Sequence, residues 1–150
     1  MQFFALDTTQ ALSKRAASRW AEQLQWLRSE LQRSQQPWKV VFGHHPVYSS
    51  GQHGSTPELM EALPPIFADY GVQLYINGHD HNYERTVPME GTTYITTGNG
   101  ALLRAVGRSN WTAQASSQLG YTAFEVHPDQ IRVKAINTHH QVYDEAAIPV

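Results

Sequence analysis

The chain has 150 residues, 41% hydrophobic and 16% charged, with a formal net charge of −2 when histidine is neutral. That length suits one domain able to bury about 70% of its unfolded surface, and the charge balance excludes a disordered tail and a basic surface for nucleic acid. There is no cysteine, so disulfides and thiolate metal sites are excluded and His, Asp, Glu, Asn and Tyr remain as ligands.

Phe3 to Leu6 is a short strand-like run that breaks at Asp7, Thr8 and Thr9. A helix follows, with Ser18 as its expected N-cap and Trp20, Leu24, Leu27 and Leu31 on one face. Pro37 ends that region, and Trp38 to Phe42 reads as a strand covered on both faces. Beyond a Gly and Ser loop, Thr56 and Pro57 mark a helix start, and Leu59, Leu63, Phe67 and Tyr70 form its buried stripe. Pro64 and Pro65 are expected to kink or split that helix. Gly71 terminates it before a strand from Val72 to Ile76, so residues 1–85 predict a parallel βαβαβ unit. Residues 86–150 read as antiparallel strands: Thr92 to Thr97, Tyr121 to His127 and Ile131 to Ile136, the last alternating cleanly. Leu103 to Leu119 reads as a long loop over or beside the site. The fold class is therefore α/β (α+β), in one domain. No apolar run approaches the roughly 18 to 20 residues of a membrane helix. Met1 leads into strand-like residues without a signal-peptide pattern, so a soluble chain with no membrane partner is expected.

Two strand ends carry histidines. Gly43, His44 and His45 follow Val40 to Phe42; Gly78, His79, Asp80 and His81 follow Val72 to Ile76. Loops beyond the carboxyl ends of strands are where sites assemble in sheet proteins, and paired imidazoles there suit a metal. Asp80 is expected to shape the loop or to accept a hydrogen bond from a neighbour of the metal site. His139 and His140 read as a solvated hairpin tip, and His127 as a strand end.

The order Gly43-His44-His45-Pro46-Val47-Tyr48-Ser49, then His53, then Gly78-His79-Asp80-His81-Asn82-Tyr83-Glu84-Arg85 resembles purple acid phosphatases of the calcineurin-like metallophosphoesterase superfamily. Phe3 to Thr8, Gln25-Trp26-Leu27 and Tyr94 to Gly100 are similar to further segments of such enzymes. The resemblance implies part of a β-sandwich flanked by helices and hydrolysis of phosphate monoesters at a binuclear metal centre that activates water. By that resemblance His44 and His79 bind the second metal and His81 the first, the pair being Fe with Fe, Zn or Mn. His53 matches a histidine that contacts phosphate or leaving group, where an imidazole suits a general acid; its alternative is a solvated loop residue. His45 matches a position that lines the site without ligating. Tyr83, Glu84 and Arg85 continue the pattern, and burial with ion pairing explains them as well as substrate contact does.

The family's Asp-x-His, Gly-Asp-x-x-Tyr and Gly-Asn-His motifs do not occur in this sequence, and with them go the bridging aspartate and the iron-binding tyrosine. Two cations about 3.5 to 4 Å apart would lack a bridging carboxylate to offset their repulsion. The expectation is the carboxyl-terminal half of a catalytic domain that holds at most one weakly bound ion alone, with a chain or segment carrying the amino-terminal half as partner. A full-length form is expected to be secreted or periplasmic. The alternative is an inactive interaction module, or a fragment binding one ion through His44, His79 and His81. Without the missing half, Phe3, Phe4, Val40, Phe42, Leu74 and Ile76 are expected to lack partners on an uncovered sheet face.

Overall fold

Short, continuous apolar runs buried on both faces dictate the central layer. The computed structural model describes residues 1–150. Strand β1 (Gln2–Ala5), helix α1 (Ala17–Arg33), β2 (Lys39–Phe42), α2 (Pro57–Tyr70) and β3 (Leu74–Asn77) come first; β4 (Tyr83–Thr86), β5 (Thr93–Thr97), β6 (Thr112–Ser116), β7 (Gly120–Val126), β8 (Gln130–Asn137) and β9 (Val142–Pro149) follow. One six-stranded sheet has the order β1-β2-β3-β5-β4-β6, and a second sheet has the order β7-β8-β9. Strands β1, β2 and β3 pair in parallel, as the two helical crossovers require. No helix is long and apolar enough to cross a membrane.

Side chains of successive residues leave opposite faces of the large sheet, and two cores result. Phe4, Val41, Tyr75 and Tyr94 join Leu27 and Leu31 of α1 and Leu59, Leu63, Ile66 and Phe67 of α2. Val40, Leu74 and Ile95 instead meet Ile131, Val133, Ala135 and Ile148 of the small sheet. The expected helix stripes hold: Leu27 and Leu31 are buried, with Trp20 and Leu24 packed against the same core. Each fully buried Leu or Phe contributes about 1.5–3 kcal/mol by leaving water.

Several elements differ from expectation. Ser18 is not an N-cap; a 3-10 turn over Lys14–Ala16 leads directly into α1, whose cap is Ala16. Pro64 and Pro65 do not split α2, which runs unbroken from Pro57 to Tyr70. The carbonyls that would have received their N–H groups belong to the exposed Met60 and to Glu61, where water can replace the lost bonds. Gly71 closes α2 in the left-handed region at φ 64°, a conformation that glycine adopts without Cβ strain. Strand β5 pairs parallel to β3 on one side and antiparallel to β4 on the other. The segment expected as one long loop contains β6, which pairs with β4.

The expected bare sheet face is only partly bare. Phe4 lies under the helices, and Val40 and Leu74 lie under the small sheet, at 2%, 1% and 1% exposure. The chain's own last three strands supply that cover. Phe3 and Phe42, at 60% and 41% exposure, remain open, and with Ile76, Gly43, Asn77, Gly78 and Thr97 they line a depression of about 630 Å³ next to the histidine motifs.

Candidate metal centre

Neighbouring parallel strands carry the two histidine motifs to one edge. The β2–β3 ladder continues past both strand ends: Gly43 N–H donates to Ile76 O at 3.1 Å and Gly78 N–H to His44 O at 3.1 Å. A Cβ on Gly43 would come within 2.6 Å of Thr8 Cγ2, and one on Gly98 within 2.0 Å of the Asp80 carbonyl oxygen. The glycines therefore let the loops close tightly. His79 has φ 63°, a left-handed conformation that is costly for a side chain with a Cβ and that clusters at functional sites.

The structure brings His44 Nε2 to 3.0 Å from His79 Nδ1. One ring nitrogen from each of His44, His45 and His79 lies within 4.8 Å of the others. His53 joins this group, with its ring centroid 4.4 Å from that of His79. His81 stands outside the three-nitrogen group, and its Nδ1 is buried without a partner. The set that could share one ion thus contains His45 in place of His81. His139 and His140 are exposed in the turn between β8 and β9, as expected.

Side chains around the histidines fix them. Thr8 Oγ1 lies 2.8 Å from His45 Nδ1 and accepts the His45 N–H at 3.0 Å, while Tyr75 Oη donates to the His45 carbonyl at 2.8 Å. Asp80 is fully buried; one carboxylate oxygen accepts the Ser49 hydroxyl at 2.5 Å and the other the His53 N–H at 3.0 Å. This bonding ties the loop carrying His53 to the turn carrying His79 and His81, the loop-shaping role expected of Asp80. Glu84 anchors the same loop from β4, accepting from Ser50 N–H at 2.7 Å, Ser50 Oγ at 2.8 Å and Thr112 Oγ1 at 2.6 Å. Arg85 instead forms two hydrogen bonds with Asp144, at 2.7 and 2.9 Å. Buried hydrogen bonding therefore accounts for Glu84, and ion pairing for Arg85. Thr8 gave no signal beyond a strand-ending turn. Arg104, whose Nη1 donates to His53 Nε2, lay in a segment without any motif.

Burial lowers the pKa of His79 first, and His53 and His44 beside it lower it further. His45 is lowered by burial, then by His79 and His44. Neutral imidazoles are the metal-binding form. Two nitrogens bonded to one tetrahedral ion at about 2.0–2.1 Å stand about 3.3 Å apart, close to the His44–His79 separation of 3.0 Å. These two residues fit a divalent ion, and the orphaned His81 Nδ1 fits a further ligand role.

A mixed sheet between helices and a second sheet, with histidines clustered at the carboxyl ends of parallel strands, defines a class of metal-binding α/β proteins. The model for calcineurin-like phosphoesterases matches residues 5–83, and the chain belongs to that family. Human tartrate-resistant acid phosphatase type 5 is 40% identical over 78 residues, which are 52% of this chain and 24% of that protein. Purple acid phosphatase 7 of Arabidopsis thaliana is 42% identical over 72 residues, 48% of this chain and 22% of its own length. The chain thus spans about a quarter of these relatives. Among solved structures, purple acid phosphatase PPD1 from yellow lupin seeds has a TM-score of 0.77 at 25% identity, covering 85% of this chain and 28% of that one. Membership of this family implies divalent metal ions.

Proposed function

We propose that this chain supplies the histidine share of a binuclear phosphomonoesterase centre, as the carboxyl-terminal half of a catalytic domain formed by residues 1–150 and a further segment or chain. The observation carrying this reading is the 3.0 Å approach of His44 Nε2 to His79 Nδ1, inside the region matched by the phosphoesterase family. His44 and His79 are assigned to the second metal and His81 to the first. Two bound ions would supply an activated water and neutralise charge on the phosphoryl oxygens.

This chain's residues would do the rest. Asp80 orients the His53 loop, and His53 stands beside His79 to give a proton to the leaving-group oxygen. Gly43, Gly78 and Gly98 let backbone close around the centre. The carboxylates and tyrosine that complete the metal sites would come from the amino-terminal segment, and Fe paired with Fe, Zn or Mn is the assigned metal content. The assembled protein is assigned to a secreted or periplasmic setting.

The test combines the purified chain with a polypeptide carrying Asp-x-His, Gly-Asp-x-x-Tyr and Gly-Asn-His motifs, in the presence of Fe, Zn or Mn. Hydrolysis of an aryl phosphate that needs both polypeptides and disappears with His79→Ala is the expected outcome. No hydrolysis from a demonstrably assembled, metal-loaded pair would overturn the assignment.

A second reading has its own support. Because His44, His45 and His79 converge within 4.8 Å, the chain alone would hold a single ion as a noncatalytic module. Elemental analysis separates the readings: one ion per chain that survives addition of the amino-terminal half, without hydrolysis, selects the second.

A further inference from the structure

Arg104 lies in the connection between β5 and β6, and its backbone is fastened on both sides. Its N–H donates to the His81 carbonyl at 2.9 Å, and its own carbonyl accepts the Ser117 hydroxyl at 2.8 Å. The guanidinium is thereby delivered to the histidine turn, where Nη1 donates to His53 Nε2. Arg104 belongs to no ion pair, whereas Arg85 spends its guanidinium on Asp144. The other guanidinium N–H groups of Arg104 meet no protein acceptor.

No carboxylate contacts the Arg104 guanidinium. Both oxygens of Asp80 are taken by Ser49 and the His53 N–H, and those of Asp7 by Thr9 and Gln10. The cluster of His44, His45, His53, His79 and Arg104 therefore offers donors and a fixed positive charge that no carboxylate touches. A planar fork of N–H groups fits two oxygens of a phosphate or carboxylate at once.

We propose that Arg104, with His53, forms an anion subsite that receives the phosphoryl group of a phosphomonoester beside His79. The inference rests on the phosphoester reading above and adds to it the residue that grips the phosphoryl oxygens from the protein side. A monoester has three non-bridging oxygens and a diester has two, so a fork that occupies two of them favours monoesters when the remaining oxygen is needed elsewhere in the site.

The test is calorimetric titration of the full chain with inorganic phosphate and with dimethyl phosphate, after chelation and again after loading with Zn²⁺. Inorganic phosphate is expected to bind more tightly than dimethyl phosphate. Arg104→Ala should weaken phosphate binding by about tenfold or more, the scale of a charge-assisted bidentate contact. Arg104→Lys, a point charge without the fork, should fall between. Arg108→Ala, which removes an arginine of the same connection, should change nothing. Equal phosphate affinity for wild type and Arg104→Ala, equal losses from Arg104→Ala and Arg108→Ala, or no phosphate binding in either arm would overturn the proposal. Thermal melts of each variant separate misfolding from lost contact, and Arg104→Lys carries the decision if Arg104→Ala unfolds. Failure of the metal reading appears separately, as Zn²⁺ affinity unchanged by His79→Ala, because Arg104 ligates no ion and its variant should bind Zn²⁺ as wild type does.

Discussion

Two polar clusters flank the large sheet and are built on opposite rules. At β4 and β9, Asp144 accepts two hydrogen bonds from Arg85 and a third from Tyr83 Oη at 2.6 Å, leaving that charge paired. At the carboxyl ends of β2 and β3, His81 Nδ1 and both side-chain polar atoms of Asn82 are buried without a partner, and His79 holds a left-handed backbone. Buried polar groups are ordinarily satisfied. The first cluster is finished by the chain itself and reads as structure; the second is left open and reads as a place for something to bind.

The sharpest way to break this contrast is to remove one side chain from each cluster. His79→Ala should abolish stoichiometric Zn²⁺ binding, measured by competition with a chromophoric chelator, while thermal stability changes little, because alanine keeps a Cβ at the same left-handed φ and no ion pair is lost. Asp144→Ala should do the reverse: Zn²⁺ affinity unchanged, but unfolding free energy lower by about 3 kcal/mol in denaturant titration, since the Arg85 charge loses its buried partner. If both substitutions moved the same observable, the division between structural and functional clusters would fail.

Gly98→Ala tests how tightly the open cluster is backed. Its Cβ would meet the Asp80 carbonyl oxygen at 2.0 Å, which is backbone and cannot swing away. A loss of about 2–3 kcal/mol, together with weakened Zn²⁺ binding, is expected from urea melts and chelator competition on the same sample.

Acid should separate the clusters as well. Burial alone would raise the Asp144 pKa, but hydrogen bonds from Arg85 and Tyr83 more than offset it, so the carboxyl ends below its ordinary value of 3.8. The folded form then binds fewer protons than the unfolded one, so this contribution is fully present above about pH 4 and fades as pH falls through the lowered pKa. Asp144→Asn should flatten the acid limb of a stability-against-pH curve below pH 4. An unchanged limb would place the acid sensitivity elsewhere.

The two clusters were not equally legible in the sequence. The histidine motifs announced themselves because a glycine and a histidine directly follow an apolar strand, and their backbone location needs only local pattern. The Asp144–Arg85–Tyr83 cluster joins residues some 60 positions apart, in a strand, β9, whose alternation is weak and which no turn signal beyond His139-His140 marked. Strand β4 was hidden inside the histidine motif, and β6 inside a polar stretch of Ser, Asn and Gln. Both are short strands whose status comes from pairing rather than propensity. His45 drawing close to His44 and His79, and Arg104 reaching His53, depend on loop closure that spacing does not encode.

The smallest effect belongs to the sandwich edge, and it probes whether the open cluster continues into an open surface. Phe42 at 41% and Phe3 at 60% exposure border the depression beside Gly43 and Gly78, whereas Val40 and Leu74, one face-repeat further from the site, are sealed by β7, β8 and β9. Because Phe42 is part-exposed, Phe42→Ser should lower unfolding free energy by about 1 kcal/mol, less than Val40→Ser at a fully buried position. If this edge docks the segment that carries the missing carboxylates, Phe42→Ser should nevertheless weaken assembly with the amino-terminal half in analytical ultracentrifugation. Unchanged assembly would remove the edge from the interface and leave the depression as access to the histidines alone.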